Sequence, residues 1–183
     1  EISACLVGSE MCIRDRTSPE GLARLRATLE TTLGNITVGF FPDLAPNHVR
    51  NFLRLAEAGF YNGTAIHRIV PDFVMQGGLL STRQPPLPEF RIQDLVRRLK
   101  PEFNNTKHVK GILSMARADE PDSAETSFFI CLGDAGHLDN QYTAFGKVVD
   151  GMEVLDKFQK VDLEGEAPKE RIELKKVRII PEP

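Results

Sequence analysis

One run of thirteen residues, Ile66-His67-Arg68-Ile69-Val70-Pro71-Asp72-Phe73-Val74-Met75-Gln76-Gly77-Gly78, constrains the fold more than any other, because apolar side chains crowd it and few polar ones interrupt it. Ile66, Ile69, Val70, Phe73, Val74 and Met75 have the β-branched and aromatic bias of buried strand; Pro71-Asp72 punctuates the run and Gly77-Gly78 ends it. The block therefore reads as a tight corner joining two short strands. An arginine set inside it must reach solvent, pair with a carboxylate, or aim its fork into a pocket, since an unpaired buried charge is very costly. On the pattern alone, a solvated or ion-paired Arg68 is the default.

A second apolar block changes the balance: Ile112-Leu113-Ser114-Met115-Ala116-Arg117, then Ser123 to Cys131, then Leu138-Asp139-Asn140-Gln141-Tyr142-Thr143-Ala144-Phe145-Gly146-Lys147-Val148. Ile66–Gly78, Gly111–Ala116, Phe128–Ile130 and Leu138–Val148 resemble, in order, the blocks FHR-[IV]-[IV]-P-x-F-[MV]-x-QGG, G-x-[LI]-SMA, FFI and LD-x-x-[YH]-x-x-FG-[KR]-V of the cyclophilins, which are peptidyl-prolyl cis-trans isomerases. The resemblance runs roughly from Ala27 to Ile180, and the stretch Met115 to Ile130 resembles the bacterial branch.

Composition bounds what else the chain could be. Its 183 residues suffice for one full core. Hydrophobic residues at 41% and charged residues at 27% exclude a disordered chain, and no apolar run approaches the roughly 20 residues of a membrane-spanning helix. A net charge of -3 gives no general attraction to phosphate backbones, so neither nucleic acid nor membrane is an expected partner. The three cysteines, Cys5, Cys12 and Cys131, match neither a zinc knuckle nor a redox pair; Cys131 reads as a small buried thiol at a strand end. Glu1 to Arg16 lack an initiator methionine and the basic start and unbroken apolar core of a signal peptide. This 1–16 segment reads as non-native or disordered, with the isomerase domain expected over 17–183. A cytoplasmic location is expected, although a leader could have stood before this start.

Taken in order, Ala27 to Thr32, a turn at Leu33-Gly34-Asn35, and Ile36 to Phe41 read as a hairpin. Val49, Phe52, Leu53 and Ala56 recur at helical spacing after Pro46 and before Gly59, placing His48 and Arg50 on a solvated outer face. Strands are expected at Ile112–Ala116, Thr126–Cys131 and Thr143–Val149, a second helix over Gly151 to Phe158, and a closing strand over Ile172 to Ile180. Many short strands with two helices predict a mainly β protein, a closed barrel capped at both ends. The resemblance implies the eight-stranded antiparallel barrel of the family. Within an insertion at about 79–102, Ile92, Leu95, Val96 and Leu99 predict a short extra helix before Pro101. Arg91, Arg97, Arg98 and Lys100 surround it, either as its solvated face or as a rim that meets acidic client segments.

The resemblance also implies an activity and its residues. Arg68 stands at the position of the catalytic arginine, and Gln76 at that of an amide that bonds the substrate carbonyl and helps orient the arginine. Phe73, Val74, Phe129, Leu138 and Tyr142 would wall a proline pocket, and Ala116 and Arg117 would line an edge where an extended peptide pairs in strand-like fashion. Two departures stand out. Ser127 occupies a position usually held by glutamine, shortening one polar contact to substrate or to Arg68. His137 replaces the tryptophan of cyclosporin-sensitive members, so weak cyclosporin A binding is expected. The expected partners are proline-containing peptides and unfolded chains, with the protein acting as a monomer. The alternative is a proline-peptide-binding or holdase module that has lost turnover.

No metal or cofactor is expected. His67, His108 and His137 show no metal-ligand spacing, and His67, beside Arg68 in a strand, is expected to point to the opposite face. There is no GxSxG elbow, and Ser114 and the histidines and aspartates are too scattered to read as a triad.

Overall fold

The computed structural model describes residues 18–182, so the 1–16 segment, with Cys5 and Cys12, lies outside the described residues. A short helix, α1 (Pro19–Ala23), opens the described chain, with Ser18 Oγ accepting the Gly21 N–H at 3.0 Å. Strands β1 (Leu25–Thr31) and β2 (Gly34–Phe40) form the expected hairpin. The other edge of β1 pairs with β11 (Ile172–Pro181), so the last strand is stitched to the first. Leu25, Ala27, Leu29, Ile36 and Val38 alternate with polar residues and point inward, as half-buried strands require.

The remaining strands are β3 (Thr64–Ile66), β4 (Arg68–Val70), β5 (Val74–Gly77), β6 (Ile112–Met115), β7 (Phe128–Cys131) and β8 (Ala144–Asp150). With β1, β2 and β11 they make one nine-stranded antiparallel sheet in the order β3-β11-β1-β2-β8-β6-β7-β5-β4. Its two edge strands, β3 and β4, are joined through the single residue His67, so the sheet closes on itself. The expected count of eight becomes nine because His67 breaks one strand in two. The cause is the parity of the side chains: Ile66 and Ile69 both enter the core cluster although they lie three residues apart, which an unbroken strand of period two forbids. The slip at His67 restores the phase and turns Arg68 outward. The corner after β4 is made by Pro71 and by Asp72 in the left-handed region (φ 57°), with the Phe73 N–H donating to the Val70 carbonyl at 3.0 Å.

Two helices cap the barrel. In α2 (Pro46–Glu57) the predicted apolar face, Val49, Phe52, Leu53 and Ala56, is buried. His48 is buried as well, contrary to the outer position expected from the helical spacing; its Nδ1 lies 2.6 Å from Glu102 Oε2, and that carboxylate also accepts the Asn47 and His48 backbone N–H groups. Glu102 therefore caps a helix whose own N-cap, Ala45, has no side chain for the task. At the other end, α4 (Met152–Phe158) buries Val154, Leu155 and Phe158. The insertion helix, α3 (Glu89–Leu95), ends one turn earlier than the spacing predicts. Val96 is extended, and the Leu99 N–H donates instead to the Ala124 carbonyl at 2.8 Å, so a bridge to a distant strand segment outcompetes the last helical turn.

Candidate active site

The barrel has two apolar faces, and period-two alternation sorts side chains between them. Ile69, Met75, Leu113, Phe128 and Ile130 fill the interior; Val74, Ile112, Phe129 and Cys131 form a second cluster on the outer face with Ala116, Leu138 and Ala144, against which Phe73 and Tyr142 pack. The strand register places a transverse row on that outer face. Arg68 opposes Gln76, Gln76 opposes Phe129, and Phe129 opposes Ser114, on strands β4, β5, β7 and β6. Neighbouring strands lie roughly 4.8 Å apart, so the guanidinium, the amide and the aromatic ring fall side by side although their positions span 61 residues of sequence (129 − 68).

A cavity of about 440 Å³ opens above this row, lined by Arg68, Phe73, Val74, Gln76, Ala116, Arg117, Phe129, His137, Leu138, Gln141 and Tyr142. Every site residue predicted from the sequence lines it except Ser127. That residue lies in an adjoining cavity of about 410 Å³, which shares Gln76, Ala116 and Arg117 and is walled on its far side by Leu80, Ile92 and Val96 of the insertion. His67 faces this second cavity, half-buried, with its N–H donated to the Gln76 carbonyl at 3.1 Å. The walls of the first cavity are held by ring packing. His137 stacks on Phe73 with centroids 5.1 Å apart, Tyr142 meets Phe129 edge-on at 5.7 Å, and the Arg117 guanidinium sits 4.6 Å over the Tyr142 ring. The basic residues of the insertion do not reach this cavity: Arg97, Arg98 and Lys100 line a separate concavity beside α2 with Arg54.

Arg68 is both pocket-lining and ion-paired. Its Nε donates to Glu166 Oε2 at 2.5 Å and its Nη2 to Glu166 Oε1 at 3.1 Å. Those hydrogen bonds hold the Glu166 carboxyl below the usual carboxylate range. The side chain of Arg68 is 35% exposed. The two alternatives posed by the sequence, pairing with a carboxylate and pointing into a pocket, are thus met together.

Comparison with known proteins places the chain in a family. The family model for cyclophilin type peptidyl-prolyl cis-trans isomerase/CLD matches residues 26–179. The chain belongs to the cyclophilin-type peptidyl-prolyl cis-trans isomerases. Among similar proteins, peptidyl-prolyl cis-trans isomerase CYP23 of Arabidopsis thaliana is 38% identical over 174 residues, covering 92% of this chain and 76% of the relative. Peptidyl-prolyl cis-trans isomerase A of Dickeya dadantii is 38% identical over 157 residues, 82% of this chain and 80% of the relative. A crystal structure of a cyclophilin type isomerase from Cryptosporidium parvum, in the presence of the dipeptide ala-pro, superposes with a TM-score of 0.75 at 27% identity, over 85% of this chain and 98% of that one.

Beneath the cavity that Arg68 lines runs a buried polar chain. His108 stacks behind Phe129 with centroids 6.1 Å apart; its Nδ1 lies 3.1 Å from Asp139 Oδ1 and its Nε2 3.1 Å from Ser114 Oγ. The Ser, His and Asp that are scattered in the sequence do meet, but Ser114 is fully buried, so its hydroxyl cannot reach a substrate and the chain braces the pocket floor. Burial pushes the His108 imidazole below its ordinary value, and the His108 backbone N–H and the Lys107 ammonium hold Asp139 down to about 2. Neutral His108 then donates from Nδ1 to Asp139 and accepts from Ser114.

The sign of the pH dependence follows. Both folded-state values are depressed, so acid favours the unfolded chain: stability is expected to fall below about pH 6.5 as unfolded His108 takes up a proton, and again from 3.8 towards about 2 as Asp139 does. Half-buried His67, also depressed by burial, adds to the first step. Urea midpoints that stay constant between about pH 7.5 and pH 5 would contradict this.

Two residues of the site had no assigned role in the sequence. Gln141 lines the pocket and its carbonyl accepts from Arg117 Nε at 3.3 Å. Glu166 lies 98 residues from Arg68, and its only local signal is the Gly165-Glu166 dipeptide between two short polar stretches.

Proposed function

We propose that isomerisation takes place in the cavity between Arg68 and Phe129. Rotation about an Xaa-Pro bond faces a barrier of roughly 18–20 kcal/mol because the nitrogen lone pair is delocalised into the carbonyl. At the twisted transition state that pair is localised on nitrogen, and a donor aimed at it stabilises the transition state more than either planar ground state. Arg68 is that donor. Glu166 takes one N–H from Nε and one from Nη2, so three of the five guanidinium N–H groups remain for the substrate. The observation that carries the reading is this half-engaged fork set at the mouth of an apolar pocket whose walls, Phe73, Val74, Phe129, Leu138 and Tyr142, suit a proline ring. Gln76, opposite Arg68 in the register, offers its amide to the substrate carbonyl, and Ala116 and Arg117 form the edge along which the peptide extends.

The substrates are proline-containing segments of flexible or unfolded chains, and the Cryptosporidium relative with its ala-pro dipeptide supports that choice. The test is a titration with a short Ala-Pro peptide followed by backbone amide shifts. Shifts centred on Gln76, Phe129 and Leu138 are expected; shifts confined to other faces of the barrel would overturn the assignment.

A second reading, a proline-binding holdase with little turnover, is favoured by one observation: Ser127 stays outside the Arg68 cavity, where a longer amide would reach further. A monomeric state, a cytoplasmic location, the assignment of 17–183 as one isomerase domain, and the absence of nucleic-acid and membrane partners belong to the first reading. Among the described residues no helix is long and apolar enough to cross a membrane. The inhibitor expectation follows from His137, which stacks on Phe73 but lacks the large surface and indole donor of tryptophan. Cyclosporin A is expected to bind weakly; sub-micromolar inhibition of turnover would contradict this.

A further inference from the structure

The Arg68 fork is held from a short hairpin between the last helix and the last strand. Strands β9 (Leu163–Glu164) and β10 (Ala167–Pro168) pair antiparallel around the two-residue turn Gly165-Glu166, with Gly165 at φ 64°. Positive φ at the first turn residue and not at the second is the pattern of a type II′ hairpin, a tight connection that suits the twist of paired strands. The hairpin is fastened at both ends. At its base the Lys169 N–H donates to the Asp162 carbonyl at 2.9 Å; at its tip the Ile69 N–H donates to the Glu166 carbonyl at 2.8 Å. Because β4 is an edge strand, the tip covers its free backbone and brings the Glu166 side chain onto the outer face beside Arg68.

Gln76, from which orientation of the arginine is expected by resemblance, does not do this work here. Among the described residues, both hydrogen bonds of the Arg68 side chain go to Glu166, Gln76 lies opposite but unbonded to the fork, and Ser127 lies outside the cavity. An exposed ion pair contributes little to stability. Its two parallel N–H···O bonds instead fix the plane and direction of a long, otherwise mobile side chain. We infer that Glu166 is the positioning residue of this isomerase, a carboxylate on a rigid hairpin tip that clamps the rear edge of the Arg68 guanidinium so that the remaining N–H groups meet the substrate nitrogen.

This rests on the assignment of Arg68 as the donor to the twisted amide, and the experiment separates the two claims. Turnover on a short Xaa-Pro peptide is measured by NMR line-shape analysis, which resolves kcat from KM, for the parent chain, Glu166→Gln, Arg68→Ala and the double variant. Glu166→Gln keeps the size of the side chain and the backbone bond to Ile69 while removing the charge. It is expected to lower kcat roughly fivefold to tenfold with KM nearly unchanged, the cost of a misdirected reacting group. In the Arg68→Ala background the same change is expected to do nothing further, since Glu166 acts only through the arginine. The Arg68 Nε–Hε resonance is expected to be sharp and shifted in the parent and to move towards the free-arginine position in Glu166→Gln. Parent-like kcat, a rise in kcat, or an equal loss in the Arg68→Ala background would each overturn the inference. Loss of turnover in Arg68→Ala with no effect of Glu166→Gln would leave Arg68 as the donor and reject Glu166 as its clamp. An Arg68→Ala variant with unchanged turnover would reject the underlying assignment itself.

Discussion

Arg68→Ala is expected to lower kcat/KM for an Xaa-Pro peptide by roughly 10- to 150-fold, the rate equivalent of one charged hydrogen bond of about 1.5–3 kcal/mol present only in the transition state. The loss should fall on kcat, because the apolar walls proposed to hold the proline ring, Phe73, Val74, Phe129 and Leu138, are left in place by the substitution. Stability should hardly change. The Arg68 side chain is one-third exposed and its partner Glu166 more so, and exposed pairs are worth about 0–1 kcal/mol. Arg68→Lys should fall between, keeping the charge but not the fork that meets both oxygens of Glu166 and still offers N–H groups forward. A loss carried by KM, or a large fall in melting temperature, would show that Arg68 binds or supports the fold instead of acting on the rotating bond.

The second large effect concerns the barrel that carries the row of site residues. Phe52 of α2 is fully buried and meets the rings of Phe40, Tyr61, Phe128 and Phe145 at centroid distances of 5.0 to 5.7 Å. Phe128 neighbours Phe129 on β7 and points the opposite way, so the interior cluster and the pocket wall share one strand. Phe52→Ala removes the ring on which four others pack and should destabilise by about 3–5 kcal/mol, a large share of the roughly 5–15 kcal/mol available to a domain. For a chain of this length that corresponds to a fall of roughly 6–20 °C in melting temperature, read by circular dichroism. A fall of only about 2 °C would mean that the neighbouring rings close the cavity freely.

Much of the architecture was legible because strands announce themselves by period two. The alternation in Ala27–Thr32 and in Ile172–Ile180 marks strands without any structure, and the blocks around Arg68, Phe129 and Leu138 carry the family pattern. What the periodicity could not show was its own interruption. His67 resets the phase between Ile66 and Ile69, so a rule that places neighbours on opposite faces cannot place His67 and Arg68 reliably. Helical spacing likewise put His48 outside, because the carboxylate that makes its burial tolerable, Glu102, comes from another segment. Leu99 matched a helical stripe but found a strand partner in Ala124. The Ser114–His108–Asp139 chain and the Arg68–Glu166 pair are contacts of the folded chain alone, made by residues that no spacing rule links.

A pocket that turns over proline bonds and one that merely holds them differ in the cis-trans exchange rate of their peptide. Exchange spectroscopy on a short Xaa-Pro peptide, with the protein at a small fraction of the peptide concentration, measures that rate most directly. Cis-trans exchange cross-peaks growing in on a sub-second timescale, far faster than the tens to hundreds of seconds of the free peptide, are the predicted result. Peptide shifts or broadening with exchange no faster than in the free peptide would contradict it, leaving a groove that binds proline without catalysing its rotation.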